Sequence, residues 1–60
     1  MLTAKQAFNL ASRLVAAGHD VDGLRRPNGM DWQVSVKLPS NDFWLIEEPI
    51  ARVSPPEEEI

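Results

Sequence analysis

The chain has 60 residues, no cysteine and a net charge of −3, which confines it to one small domain. The absence of cysteine excludes disulfides and thiolate zinc sites, and it is typical of a cytoplasmic protein. No apolar run reaches the roughly 20 residues of a membrane span, and no secretory signal precedes the first element. We therefore expect a complete cytoplasmic domain that gains stability from self-association or from a partner.

The charge is unevenly distributed along the chain. Residues 1–53 contain six acidic and six basic side chains, so the whole excess lies in the three glutamates at 57–59. A neutral folded part lacks the basic surface of a nucleic-acid-binding protein. We expect a single domain over residues 1–53 and a disordered, acidic Pro/Glu tail over residues 54–60.

The first predicted element is a helix over residues 4–17. Thr3 and Gln6 have the spacing of a capping box, and Gly18 stands where a left-handed C-terminal cap is expected. One stripe of the helix is apolar, so we expect it to pack on a sheet. Its members are Ala4, Ala7, Phe8, Leu10, Ala11, Leu14 and Val15.

Two extended runs follow, over residues 20–26 and 31–38. The Asn28-Gly29 pair between them predicts a two-residue hairpin turn, and the second run alternates apolar and polar residues as a half-buried strand does. The register of this turn brings opposite charges together on the outer face of the sheet. It pairs Arg26 with Asp31, Leu24 with Gln33, Gly23 with Val34, Asp22 with Ser35, Val21 with Val36 and Asp20 with Lys37, and it puts Arg25 beside Trp32.

A third strand is predicted over residues 43–48. Residues 39–42 before it have turn chemistry, and Pro49 ends the strand or confines it to an edge of the sheet. The sequence therefore predicts an α+β domain, in which one N-terminal α-helix packs on a three-stranded antiparallel β-meander in the order α-β-β-β.

The third strand has large apolar side chains on both of its faces, and a single helix covers only one face of a sheet. With a four-residue loop over 39–42, Trp44 and Ile46 point away from the helix. With a three-residue loop, Phe43 and Leu45 do. In the predicted register of the first hairpin, Leu24 lies on the same uncovered face.

An uncovered apolar patch with polar neighbours is typical of a protein interface. The sequence predicts that its partner is another protein or a second copy of the chain. In the alternative interpretation, residues 50–53 fold back over the patch and complete the core. With the four-residue loop, the predicted contact residues are Leu24, Gln33, Ser35, Lys37, Trp44 and Ile46.

The sequence offers little for catalysis or metal binding. His19 stands at the helix C-terminus, where the helix dipole favours its charged form, and with Asp20 and Asp22 it makes a poor match to a calcium loop. Nucleophile and phosphate-loop motifs are missing, and the adjacent Glu47 and Glu48 diverge on a strand. We expect no enzyme, no metal and no cofactor.

Nucleic-acid binding is the alternative function that the basic residues suggest. Lys5, Arg13, Arg25 and Arg26 are the candidates for contacts with a phosphate backbone. The arginines of the hairpin, together with Lys37, are better explained as a solvated rim with cross-strand charge pairs. A weak nucleic-acid-binding domain and an obligate homodimer that joins sheet faces or the edge of the third strand are the alternatives to protein binding.

The helix–strand–strand–strand order, with Ala17-Gly18 leading into a hairpin, resembles the front part of HicA-type RNA-cleaving toxins and of double-stranded-RNA-binding folds. The resemblance is confined to topology. HicA-type toxins have a catalytic histidine on a strand, whereas His19 precedes the first strand. The final helix of both folds is also missing, because Pro49, Pro55 and Pro56 forbid one. No function follows from this resemblance.

A second resemblance concerns the kind of protein. A tiny, cysteine-free chain with one helix, a small sheet and an exposed aromatic patch is similar to phage-encoded host-takeover proteins, including anti-CRISPR inhibitors. Such proteins act by occluding a surface of their partner. By this analogy, we expect a protein-binding module from a phage or mobile element that inhibits a host or defence protein.

Overall fold

The computed structural model describes residues 1–29 and 31–56. It confirms the predicted α+β class and the order α-β-β-β in one antiparallel sheet. No helix of the described residues is long and apolar enough to cross a membrane. The elements are α1 (Ala4–Ala16), β1 (Asp20–Arg25), a 3-10 turn (Pro27–Gly29), β2 (Gln33–Lys37) and β3 (Phe43–Ile46), and the strand order is β1-β2-β3.

Both ends of α1 are capped as the sequence predicts. The Thr3 hydroxyl accepts a hydrogen bond from the Gln6 amide at 3.1 Å, and the Gln6 side chain accepts one from the Thr3 amide at 2.9 Å. At the other end Gly18 has a φ of 98°, and the amides of Gly18 and His19 donate back into the last turn. These bonds satisfy backbone groups that a helix otherwise leaves unpaired.

The core lies between α1 and one face of the sheet, which we call the inner face; the opposite one is the outer face. The helix packs on β1 and β2. Its apolar stripe is wider than the area that the sheet covers, since Phe8 is 64% and Val15 60% exposed. The buried apolar residues are Leu2, Ala7, Leu10, Leu14, Val34, Val36 and Ile46.

The first hairpin is antiparallel, but its predicted turn is wrong. Residues 27–29 form a 3-10 turn instead of a two-residue turn, which requires positive φ at both central positions. Pro27 fixes a φ that suits the first position of a helical turn.

A β-bulge at Asp22 shifts the register of β1 against β2. The pairs Asp20–Lys37 and Val21–Val36 form as predicted. Beyond them the predicted pairs are wrong, because an extra residue in one strand displaces every later pair by one. The observed pairs are Gly23 with Ser35, Leu24 with Val34 and Arg25 with Gln33.

The second hairpin adopts the three-residue loop, so the four-residue alternative is wrong. The amide of Leu38 donates to the Asp42 carbonyl at 2.8 Å and the amide of Asn41 to the Leu38 carbonyl at 2.9 Å, while Asn41 has a φ of 74°. A turn followed by a left-handed residue is a common three-residue hairpin loop. It pairs Lys37 with Phe43, Ser35 with Leu45, Val36 with Trp44 and Val34 with Ile46.

The segment after β3 folds back along the helix. Ile50 and Val53 pack against the core cluster, and Arg13 of α1 donates to the Ile50 carbonyl at 2.9 Å. Residues 50–53 therefore complete the core, as the alternative interpretation predicts, but they do so on the inner face, and their predicted placement over the uncovered patch is wrong. Residues 54–56 of the predicted tail continue to the helix C-terminus, where His19 bonds the Ser54 carbonyl; residues 57–60 lie outside the described residues.

Candidate protein-binding surface

Two large apolar side chains, Phe43 and Leu45, lie on the outer face. We call them the outer patch. They are 53% and 44% exposed. Their cross-strand partners, Lys37 and Ser35, share this face. Because α1 and residues 50–53 both lie against the inner face, no other described element packs over the outer patch.

Polar side chains beside the outer patch are held in place by hydrogen bonds. Lys37 Nζ donates to Asn41 Oδ1 at 2.8 Å, and Gln33 Nε2 donates to Glu47 Oε2 at 2.5 Å. An apolar centre with an ordered polar rim is the usual anatomy of a protein interface.

Of the six predicted contact residues, Gln33, Ser35 and Lys37 lie on the outer face as expected. Ser35 is only 2% exposed, so it offers almost no contact area.

The other three predicted contact residues lie on the inner face, and their predicted placement is wrong. Ile46 is 4% exposed and belongs to the core. Trp44 pairs with Val36 on the same face because the loop has three residues. Leu24 pairs with Val34 because the bulge at Asp22 turns it over.

Trp44 is 39% exposed and stands beside the helix C-terminus. Its ring centroid lies 6.1 Å from that of His19, at an angle of 60°. His19 Nε2 lies 2.5 Å from the Ser54 carbonyl oxygen. A carbonyl can only accept, so Nε2 is the donor in this contact.

The four basic candidates for nucleic-acid contacts do not form one surface. Lys5 and Arg13 lie on α1, and Arg13 is engaged with the backbone carbonyls of residues 50 and 51. Arg25 pairs with Gln33 on the outer face, across the sheet from the helix. The Arg26 guanidinium carbon lies 5.7 Å from the ring centroid of Trp32, as in a cation–π contact.

A second exposed apolar surface was missed from the sequence. We call it the helix–edge patch: Phe8, Val15 and Leu24, which are 64%, 60% and 38% exposed. Together with Ala11 and Ser12 they line a shallow hollow between α1 and β1. The signal was available in the helix, because a stripe of seven apolar positions is broader than the face that packs on two strands.

No group of His, Cys, Asp or Glu among the described residues is arranged to hold a metal ion. A hollow of about 160 Å³ lies beside His19, Asp20 and Lys37. Comparisons with known proteins provide no family: no protein-family model, no curated protein and no solved structure matches the chain. The surfaces described above are therefore the basis for assigning a function.

Proposed function

We propose that the chain is a small non-catalytic module that binds another protein and acts by covering part of its surface. The outer patch is the observation that supports this proposal. Phe43 and Leu45 are large, apolar and about half exposed on a sheet face that no described element covers. Contiguous exposed apolar side chains are uncommon on small proteins unless a partner buries them.

The chemistry of this face suits a partner with a complementary apolar recess. Burying one such side chain contributes about 1.5–3 kcal/mol, and aromatic anchors are enriched among the residues that dominate binding energy. The hydrogen bonds of Lys37 and Gln33 already order two rim side chains. Less conformational entropy is then lost on association.

The proposed mode of action is stoichiometric occlusion. The neutral folded part and the scattered positions of its basic residues favour a protein partner over a nucleic acid. By the analogy with phage-encoded inhibitors, the proposal extends to a host or defence protein as the target.

Affinity capture with matched variants tests this proposal. The wild-type chain is immobilised, exposed to a lysate of its native host, and the captured protein is then titrated in purified form. The variant Phe43→Thr/Leu45→Thr removes the outer patch while keeping strand-forming residues. The control Phe8→Gln/Val15→Gln removes two apolar side chains from α1 that are at least as exposed as those of the outer patch.

We expect the outer-patch variant to weaken binding by at least about 100-fold and the helix control to retain the captured protein. Capture of the same protein with equal affinity by wild type and the outer-patch variant would contradict the proposal.

A further inference from the structure

The side of β1 that faces away from β2 is an open edge of the sheet. β1 stands first in the order β1-β2-β3, and no backbone hydrogen bond from another described element reaches it. The unpaired N–H and C=O groups of such an edge are a template for another strand. With six residues, β1 is also the longest strand of the sheet.

The helix–edge patch lies directly above this open edge. Phe8 and Val15 of α1 and Leu24 of β1 surround one shallow hollow, and Leu24 belongs to the inner face. A molecule that pairs with β1 would therefore have to cover an apolar surface on the same side. An extended peptide provides a strand, but it does not cover the flank of the helix.

We propose that the occupant is a second copy of this chain, joined by antiparallel pairing of β1 with β1 about a two-fold axis perpendicular to the sheet. The product is a continuous six-stranded sheet with both helices on one face. This interface uses the helix–edge patch and leaves the outer patch free, so it goes beyond the proposed function and does not depend on it.

The charges at the two ends of β1 are self-complementary for the antiparallel arrangement. The strand begins with Asp20 and ends with Arg25, and both side chains are exposed. In an antiparallel pair each aspartate lies opposite the arginine of the other copy, and opposite charges across strands are stabilising. A parallel pair would place like charges side by side.

In the register that pairs Asp20 with Arg25, the bulge at Asp22 also puts paired residues of the two copies on the same face of the joined sheet. It places Val21 and Leu24 on the inner face and Asp20 and Arg25 on the outer face. With Asp20 opposite Arg25, Val21 lies opposite Leu24 of the second copy. The Val21–Leu24 pairs then lie beneath the helices, and the Asp20–Arg25 pairs lie on the opposite face. Each pair forms twice, as a two-fold axis requires.

The spacing of the helices also fits. α1 packs over β1 and β2, and neighbouring strands lie about 4.8 Å apart. A helix centred between these strands would stand roughly 10 Å from its symmetry mate, which is the usual distance between packed helices. Phe8 of each copy would then meet Val15 of the other, since the two helices run antiparallel.

The stability of the domain gives the association a physical reason. A typical interface buries about 800 Å² on each partner, about a fifth of the 4329 Å² accessible to solvent in one copy. Oligomerisation is one of the ways in which chains of this size gain stability when disulfides and metals are absent.

Sedimentation equilibrium across a dilution series tests the proposal. The wild-type chain is expected to reach twice its 6.7 kDa mass at micromolar to millimolar concentration. Phe8→Gln/Val15→Gln should weaken association by about 100-fold or more, with an unchanged circular dichroism spectrum. Phe43→Thr/Leu45→Thr, the matched control on the outer face, should leave it unchanged.

A charge swap tests the register without touching the core. Arg25→Asp should weaken association about tenfold by placing aspartates opposite each other, and Asp20→Arg added to it should restore association. A chain that stays monomeric at about 1 mM, or a dimer that Phe43→Thr/Leu45→Thr dissociates and the helix variant does not, would overturn the proposal.

Discussion

The two faces of the three-stranded sheet both carry large apolar side chains, but other elements cover only the inner face. Even there, Trp44 and Leu24 at the margins remain 39% and 38% exposed. On the inner face Val34, Val36 and Ile46 are at most 4% exposed, under α1 and the segment that follows β3. On the outer face Phe43 and Leu45 are 53% and 44% exposed, although they alternate with Ile46 along one strand. Both faces are apolar, but only the inner face is covered by other elements of the chain.

This difference separates residues that hold the fold from residues that are available to a partner. Burial of the inner face supplies the hydrophobic stabilisation of a small domain. The outer patch contributes little of that kind, since it remains half in solvent. Substitutions on the two faces should therefore have opposite consequences, for stability on one face and for binding on the other.

The largest expected effect is a core truncation beneath the inner face. Leu14→Ala removes a side chain with 0% exposure and should lower the free energy of unfolding by about 2–5 kcal/mol. The total stability of a chain of this size is comparable, at about 0.05–0.15 kcal/mol per residue. Urea unfolding followed by circular dichroism measures the loss. The control Leu45→Ala should cost under about 1 kcal/mol; equal losses would erase the distinction between the faces.

A smaller effect is expected from removing the segment beside the helix. Deleting residues 50–60 exposes core surface that Ile50 and Val53 cover and removes the carbonyls that Arg13 binds. We expect a loss of about 2 kcal/mol in unfolding free energy. Deleting residues 57–60 alone is the control and should change stability little. If both deletions are equally harmless, the fold-back does not support the inner face.

The loop that sets the faces of β3 depends on Asn41. Its positive φ disfavours branched side chains, so Asn41→Val should cost about 1–2 kcal/mol. Asn41→Gly also loses the hydrogen bond to Lys37 but accepts the backbone conformation, and it should cost less. Thermal unfolding of the pair distinguishes backbone strain from the lost hydrogen bond. Equal melting temperatures would show that φ is not the determinant.

Local signals were sufficient for most of the fold. The Thr3–Gln6 capping box, the left-handed Gly18 and the alternation in β2 each depend on neighbouring residues, and each forms as predicted. The three-residue loop that exposes Phe43 was one of two alternatives. Turn chemistry at residues 39–42 fits both lengths, and the positive φ of Asn41 that distinguishes them is seen only in the structure.

The remaining errors have tertiary causes. The bulge at Asp22 allows Val21 and Leu24 to face the helix together, and strict alternation along β1 gives no sign of it. Two of the three misplaced contact residues, Trp44 and Ile46, followed from the wrong loop length. The helix–edge patch was missed because every apolar position of α1 was assigned to the core, although Phe8 remains exposed.

The most direct test is the unfolding free energy of Phe43→Thr/Leu45→Thr, measured by urea titration at fixed protein concentration. It shows whether the outer patch serves binding or folding. We predict a value within about 0.5 kcal/mol of wild type, with the same circular dichroism spectrum, for a variant that has lost both outer apolar side chains. A loss of about 2 kcal/mol or more would show that Phe43 and Leu45 belong to the core, and would contradict the assignment of this face to a partner.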